Sequence, residues 1–120
     1  MTTANSCNEP NSETRALEAP FCHHVFFWLN NPDNEQERAD FEKGIEKLLE
    51  IPEIKAYHFG TPADVPERPV LDNSYTYSYA VFFESTQAHD IYQEHPLHLE
   101  FIENNKHLWE KVQVFDSLSK

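Results

Sequence analysis

The sequence predicts one α+β domain, in which helices cover one face of a four-stranded antiparallel sheet. Three observations support this fold class. The chain has 120 residues, the usual size of a single domain, and 39% of them are hydrophobic, which is sufficient for one core. Short aromatic-rich segments with two-residue periodicity are separated by segments with helical periodicity. The order of these segments is β-α-β-β-α-β.

The charge and composition exclude several kinds of partner. Acidic residues outnumber basic ones by 21 to 9, and the net charge of -12 would repel nucleic acid and anionic lipid surfaces. No segment approaches the roughly 20 apolar residues that cross a bilayer, and no secretion signal is visible at the N-terminus. Cys7 and Cys22 lie in dissimilar surroundings, so we expect no structural disulfide. We therefore expect a cytoplasmic protein that binds neither nucleic acid nor membranes.

Residues 1–19 are polar and contain hardly any large apolar side chain, so they are predicted to form a disordered tail before a domain that spans residues 20–120. The first strand is predicted over Phe21 to Leu29, because this apolar run is short and is followed by turn-forming residues. Two-residue periodicity divides the strand into two faces: Cys22, His24, Phe26 and Trp28 on one, and Phe21, His23, Val25, Phe27 and Leu29 on the other. Neither face suits water, so both must be covered.

A helix, a strand and a loop are predicted next. Asp33 and Gln36 resemble a capping box, and apolar residues then recur at helical spacing to about Glu50. The second strand is predicted over Ile54 to Thr61. Pro62 to Asn73 contains three prolines and few apolar residues, which indicates a loop that could form a rim or lid.

The third strand is predicted over Tyr75 to Glu84, with an aromatic face that includes Tyr77 and Tyr79 and an opposite face of mostly small residues. We expect the aromatic face to meet a partner and the small face to lie under the helices. Ser85 is a natural N-cap for a second helix that ends near Glu94.

The remaining elements complete the predicted topology. Pro96 can begin a further helix that breaks up around Asn104 and Asn105, and the fourth strand is predicted over Lys111 to Asp116. This order is the split arrangement of ferredoxin-like folds, which leaves one face of the sheet bare. One chain cannot hide all the aromatic side chains of strands one and three, so we predict a homodimer whose two sheets enclose a shared interior.

The segment from Tyr92 to His98 has the specific form Tyr-x-x-His-Pro-x-His. Together with the strand segments His24 to Phe27, Tyr79 to Ser85 and Val112 to Asp116, it makes residues 23–118 resemble the stress-responsive α/β-barrel family, also called dimeric α/β-barrel (Dabb) proteins. The resemblance implies a dimer of ferredoxin-like subunits, in agreement with the aromatic strands.

The resemblance also implies site residues. Some relatives cyclise poly-β-keto substrates without a metal or organic cofactor, using a tyrosine and a histidine as acid and base, and these match Tyr92 and His98. The first-strand histidine of such enzymes matches His24, whereas their third-strand histidine falls on Tyr77. A base with a pKa near neutral and a donor for the enolate oxygen are the groups that such chemistry needs.

Structural roles remain open for the same residues. His98 is equally interpretable as a polar core residue, Tyr92 as core packing, and His24 as an interior histidine with its nitrogens satisfied. His95 precedes a proline at a helix junction, which favours a capping role. The aromatic residues that either line a ligand cavity or pack the dimer interior are Phe26, Trp28, Tyr77 and Tyr79.

Two functional classes follow. The favoured one is a stress-associated barrel that binds a small hydrophobic molecule, and the alternative is a cofactor-independent cyclase, lyase or monooxygenase acting on a polyketide-like or aromatic carbonyl compound. No metal is expected, because no carboxylate or cysteine completes a recognised ligand pattern with the paired histidines. No cofactor is expected either; haem binding through an interior histidine is a third possibility that no motif specifies.

Overall fold

The computed structural model describes Arg15 and residues 17–120. The elements are β1 Phe21–Leu29, α1 Glu35–Leu48, β2 Ala56–Gly60, β3 Tyr77–Phe83, α2 Thr86–Glu94, α3 Pro96–Asn105, a short 3-10 helix Lys106–Leu108, and β4 Trp109–Leu118. The predicted order of elements is therefore confirmed. The predicted N-terminal tail, except Arg15 and residues 17–19, lies outside the described residues, as does Cys7.

The four strands form one antiparallel sheet in the order β2-β3-β1-β4. The two central strands are β1 and β3, and each is joined through a helix to a strand at an edge. This topology is the predicted ferredoxin-like fold. Strand β4 is longer than predicted because its pairing with β1 continues through a register shift at Trp28 and Leu29 to Trp109.

The cap of α1 lies one residue later than predicted. Asn34, not Asp33, has the extended backbone of an N-cap, and its side-chain oxygen accepts a hydrogen bond from the Glu37 amide at 3.0 Å. The Glu37 carboxylate in turn accepts hydrogen bonds from the side-chain amide of Asn31, at 3.1 and 3.3 Å. Two adjacent residues suited to capping made the exact position ambiguous in the sequence.

The junction between α2 and α3 agrees with prediction. Ser85 caps α2, since its hydroxyl accepts a hydrogen bond from the Ala88 amide at 3.0 Å. His95 lies in extended backbone between the helices, and its Nδ1 accepts a hydrogen bond from the Leu97 amide at 3.0 Å. The capping role predicted for His95 is confirmed, and Pro96 occupies the first turn of α3, where a missing N–H costs nothing.

The helices cover the opposite face of the sheet from the one we predicted. Tyr77 and Tyr79 are each 1% exposed and lie under the helices, whereas Ser78 and Ala80 lie on the uncovered face. The prediction that the small residues of β3 would face the helices was wrong. Large rings from both sides pack in the layer between sheet and helices, and the Tyr77 ring stacks on Phe41 of α1 with 4.9 Å between centroids.

The core consists of the helix-facing residues of the sheet and the inner faces of the helices. Its buried members are Phe21, Val25, Phe27, Leu29, Phe41, Ile45, Leu48, Ile51, Tyr77, Tyr79, Val81, Phe83, Tyr92, Phe101 and Leu108. Trp109 packs against this cluster and stacks on Phe101 with ring centroids 5.7 Å apart. Within the described part of the chain, no helix is long and apolar enough to cross a bilayer.

The uncovered face of the sheet carries further aromatic side chains. Phe26 lies 4.8 Å from Tyr75 and 6.1 Å from Phe115 between ring centroids, and Phe115 is 58% exposed. Trp28 and Cys22 are half-buried on the same face. A single chain therefore leaves an apolar sheet surface without a covering layer, as the sequence predicted for β1.

Candidate functional site

A cavity of about 300 Å³ lies between the helices and the sheet of a single chain. Its lining is mostly apolar, with a small group of polar side chains on one side: His23, Tyr79, Tyr92, Gln93 and His98. The apolar lining is Val25, Phe27, Leu48, Phe101, Ile102, Trp109, Val112 and Val114. An apolar cavity with a few convergent polar groups is the usual form of a small-molecule site.

Tyr92 and His98 converge across the helix junction, as predicted. Tyr92 lies in the last turn of α2 and His98 in the first turn of α3, and Pro96 redirects the chain between them. Their ring centroids are 4.9 Å apart. The Tyr-x-x-His-Pro-x-His segment thus brings its first and last side chains to one cavity wall.

The hydroxyl groups of Tyr92 and Tyr79 form a buried hydrogen bond with 2.8 Å between the oxygens. Burial raises the pKa of Tyr92 above its ordinary value, and the hydrogen bond with Tyr79 opposes this shift. Burial and the neighbouring Tyr92 also raise the pKa of Tyr79. Both hydroxyls are therefore protonated near neutral pH, and one of the pair retains a hydrogen to donate.

His98 carries an unpaired polar atom. Its Nδ1 is buried and has no hydrogen-bond partner among the residues that the structure describes. Burial lowers the pKa of His98, as do the nearby His23 and His89, while a hydrogen bond to the backbone of Gln93 acts in the opposite direction. The imidazole is thus neutral near pH 7 and can accept a proton.

His23, rather than the predicted His24, is the β1 histidine of this cavity. Its Nδ1 lies 2.6 Å from Oδ1 of Asp116 on β4. Burial lowers the pKa of His23 and outweighs the raising effect of the Asp116 carboxylate, so the ring is neutral. Its Nδ1–H then donates to Asp116, which leaves the lone pair on Nε2.

The other predicted site residues lie elsewhere. His24, Phe26 and Trp28 are on the uncovered face of the sheet, where Nε2 of His24 lies 2.9 Å from the Ser78 hydroxyl. Tyr77 is on the helix side but outside the cavity lining, and its hydroxyl donates to the Glu42 carboxylate. Of the four predicted ligand-binding aromatics, only Tyr79 lines the cavity with Tyr92 and His98.

A second pocket, of about 280 Å³, lies on the uncovered face. It is lined by Phe26, Trp28, Asp72, Tyr75, Lys111, Gln113 and Phe115. The Lys111 ammonium lies over the Trp28 ring, 4.4 Å from its centroid. Of the predicted site residues, Tyr79, Tyr92 and His98 line the first cavity, Phe26 and Trp28 line this pocket, and His24 and Tyr77 line neither.

Comparison with known families decides the assignment of the chain. The model of the stress responsive A/B barrel domain matches residues 21–119, which is most of the sequence. The chain belongs to this family. The relationship suggested by the Tyr-x-x-His-Pro-x-His segment is confirmed. No curated protein sequence matches the chain significantly.

Solved structures show the same barrel-family fold. A protein from Arabidopsis thaliana has a TM-score of 0.70 and 25% identity, over 84% of this chain and 96% of that one. A dimeric ferredoxin-like protein of unknown function from Thermobifida fusca has a TM-score of 0.67 and 18% identity, over 83% and 91%. A hydroxynitrile lyase from Passiflora edulis has a TM-score of 0.69 and 21% identity, over 87% and 96%.

Proposed function

We propose that the cavity between the helices and the sheet binds a small, largely apolar molecule that carries a carbonyl or hydroxyl oxygen. The observation that carries this proposal is the unpaired, buried Nδ1 of His98. The His98 ring lies beside the Tyr92 ring, with 4.9 Å between their centroids. An unsatisfied buried polar atom costs on the order of 1–3 kcal/mol. A polar group of a ligand that enters the apolar cavity would relieve this cost and orient the molecule.

The two tryptophans of the chain provide a site-specific assay. Trp109 lines the proposed ligand cavity, whereas Trp28 lies on the opposite face of the sheet. In Trp28→Phe protein, the remaining fluorescence therefore reports on the cavity, and in Trp109→Phe protein it reports on the uncovered face. We would titrate both proteins with a hydroxylated acetophenone, which combines an aromatic ring, a carbonyl and a hydroxyl group.

Binding in the cavity predicts a saturable change of fluorescence in the Trp28→Phe protein and little change in the Trp109→Phe protein. Adding Tyr92→Phe should weaken binding about tenfold, because a hydrogen bond to the ligand is lost. Tyr57→Phe is the matched control, since Tyr57 is 60% exposed and lies outside the cavity. A response confined to Trp28 would place the ligand on the uncovered face and refute the proposal.

A second candidate function is proton transfer without a cofactor on a carbonyl compound. It is favoured by the protonation states of the polar wall: a neutral His98, a neutral His23 oriented by Asp116, and a protonated Tyr92. An imidazole could remove a proton from the carbon next to a carbonyl, and Tyr92 could donate a hydrogen bond to the oxygen. The C–H electrons then form the enolate, and the proton remains on the imidazole.

This reaction can be tested without knowing the natural substrate. The methyl protons of the same acetophenone exchange slowly with deuterium from D₂O, and NMR measures the loss of their signal. Wild-type protein should accelerate the exchange, and His98→Gln should remove most of the acceleration. His58→Gln is the matched control, because His58 is exposed and lies outside the cavity. Equal acceleration by wild type and His98→Gln would refute the assignment of His98 as the base.

A homodimer through the uncovered sheet face is also part of the proposal. The apolar surface around Phe26 and Phe115 lacks a cover in one chain, and the structurally similar Thermobifida fusca protein is dimeric. Phe26→Asp should therefore produce a monomer in sedimentation equilibrium. Leu99→Asp is the matched control, since Leu99 is 58% exposed on α3 and far from this face. A Phe26→Asp protein that remains dimeric would contradict the sheet-to-sheet interface.

A further inference from the structure

We propose that His23, His89 and Asp116 together bind one divalent transition-metal ion, with Zn²⁺ as the best match. The three side chains come from three elements, β1, α2 and β4. Each offers one possible ligand atom, and the three ligand atoms lie within 4.8 Å of one another. We call these residues the His-His-Asp cluster. His23 also lines the adjacent cavity, but the test below measures metal binding without a cavity ligand.

The cluster has two buried ligands and one partly exposed ligand, as in an open metal site. His23 is 4% and His89 9% exposed, so both imidazoles are buried, and their ring centroids are 4.9 Å apart. The side chain of Asp116 is 39% exposed, so the cluster opens to solvent on the carboxylate side. An ion could enter there and keep water at its remaining coordination position.

The ligand chemistry favours zinc over calcium or magnesium. Neutral imidazole nitrogen is a preferred ligand of Zn²⁺, and a carboxylate oxygen completes a three-ligand set that leaves a fourth position open. Calcium and magnesium instead prefer oxygen ligands. The net charge of -12 also raises the local concentration of cations around the protein.

Binding requires movement in both directions: the closest pair of ligand atoms must open, and atoms separated by up to 4.8 Å must close by up to about 1.5 Å. His23 Nδ1 and Asp116 Oδ1 are 2.6 Å apart. Two ligand atoms that are each about 2.0 Å from a tetrahedral ion are about 3.3 Å apart, so this pair must separate by about 0.7 Å. Asp116 lies on an edge strand and is partly exposed, which allows this shift. The ion then replaces the proton that His23 shares with Asp116.

Neighbouring side chains hold His89 in position. Its ring stacks on Phe21 with 4.4 Å between centroids, and its Nε2 lies 3.1 Å from the side-chain nitrogen of Gln93. The stacked Phe21 ring and the Gln93 side chain fix the orientation of the imidazole. The ring is thus restrained before an ion arrives, which lowers the entropic cost of binding.

Isothermal titration calorimetry with ZnCl₂ tests the site directly. The protein should be full-length and free of a histidine tag, treated with EDTA and then dialysed until the chelator is removed. The test variants are His89→Gln and Asp116→Asn. The control variants are His58→Gln, which removes an exposed histidine, and Cys22→Ser, which removes a thiol from the opposite face of the sheet.

We expect about one Zn²⁺ per chain, with at least tenfold weaker binding in both test variants and unchanged binding in both controls. Co²⁺ should give intense visible absorption bands of a four- or five-coordinate ion in wild type, and these should be lost in Asp116→Asn. Asp116 is partly exposed, so this variant tests the site even if His89→Gln does not fold. No binding by wild type, or equal binding by wild type and Asp116→Asn, would overturn the proposal.

Discussion

Replacing His98 by leucine should stabilise the protein. The buried, unpaired Nδ1 costs on the order of 1–3 kcal/mol, and an apolar side chain of similar size removes that cost. The variant loses the ring contact with Tyr92 and the hydrogen bond to the Gln93 backbone, each worth about 0.5–1.5 kcal/mol. The balance is a gain of at most about 1 kcal/mol in the free energy of unfolding, as expected of a polar group that is held for function at the expense of stability.

His95→Leu is the matched control, and its effect should have the opposite sign. His95 lies three positions earlier, and its Nδ1 caps α3 through the Leu97 amide at 3.0 Å. Loss of a capping acceptor costs about 1 kcal/mol. The same chemical change at two neighbouring histidines should thus stabilise at His98 and destabilise at His95.

The assay is thermal unfolding without ligand, at one fixed protein concentration because the proposed homodimer would make the midpoint depend on concentration. For a domain of this size, about 1 kcal/mol corresponds to a change in Tm of about 4 °C. We expect Tm to rise by up to that amount for His98→Leu and to fall by a similar amount for His95→Leu. A fall of about 4 °C for His98→Leu would show that Nδ1 has a structural partner in solution, and the proposal that it is held for a ligand would be wrong.

Three further predictions concern pH, charge and capping. Burial lowers the pKa of His23 and His98, so the unfolded chain binds protons more readily than the folded one. The urea concentration at the unfolding midpoint should therefore fall as pH drops below about 6.5, and it should fall less in the His98→Leu protein. Asp116→Asn should lower the pKa of His23 further in an NMR titration, because the carboxylate raises it; an unchanged value would mean that the ion pair is not formed in solution. In chemical denaturation, Asn34→Ala should lower the free energy of unfolding by about 1 kcal/mol and Asp33→Ala should lower it much less. The reverse order would show that Asp33 is the N-cap, as predicted from the sequence.

Local sequence signals predicted the elements well. The run from Phe21 to Leu29, the Ser85 cap and the His95-Pro96 junction all depend on interactions between residues close in sequence, and each was confirmed. The shift of the α1 cap from Asp33 to Asn34 shows the limit of such signals, because both residues can cap a helix.

The choice of sheet face could not be predicted from one strand alone. Alternation in β3 separates Tyr77 and Tyr79 from Ser78 and Ala80, but it does not specify which set meets the helices. The decision depends on the volume between the layers, where large rings from α1 and α3 require large partners. Pairing of Val25 with Tyr79 then places His23 with the cavity and turns His24 away from it.

The partner of His23 was missed for a related reason. Asp116 follows it by 93 positions and reaches it only through the pairing of β1 with β4. The sequence showed histidines without a nearby carboxylate, and we therefore expected no metal ligand set. The register between the two strands would have supplied the signal, because His23 and Asp116 are direct cross-strand neighbours in the structure.

The proposed cavity site is tested most directly by NMR of the histidine side-chain nitrogens near neutral pH, before and after addition of the hydroxylated acetophenone. We expect His23 and His98 to be neutral, His23 to carry its proton on Nδ1, and both signals to shift when ligand binds. The signals of His24 and His58, on the opposite face, should remain unchanged. Shifts confined to His24 and His58 would contradict a ligand site between the helices and the sheet.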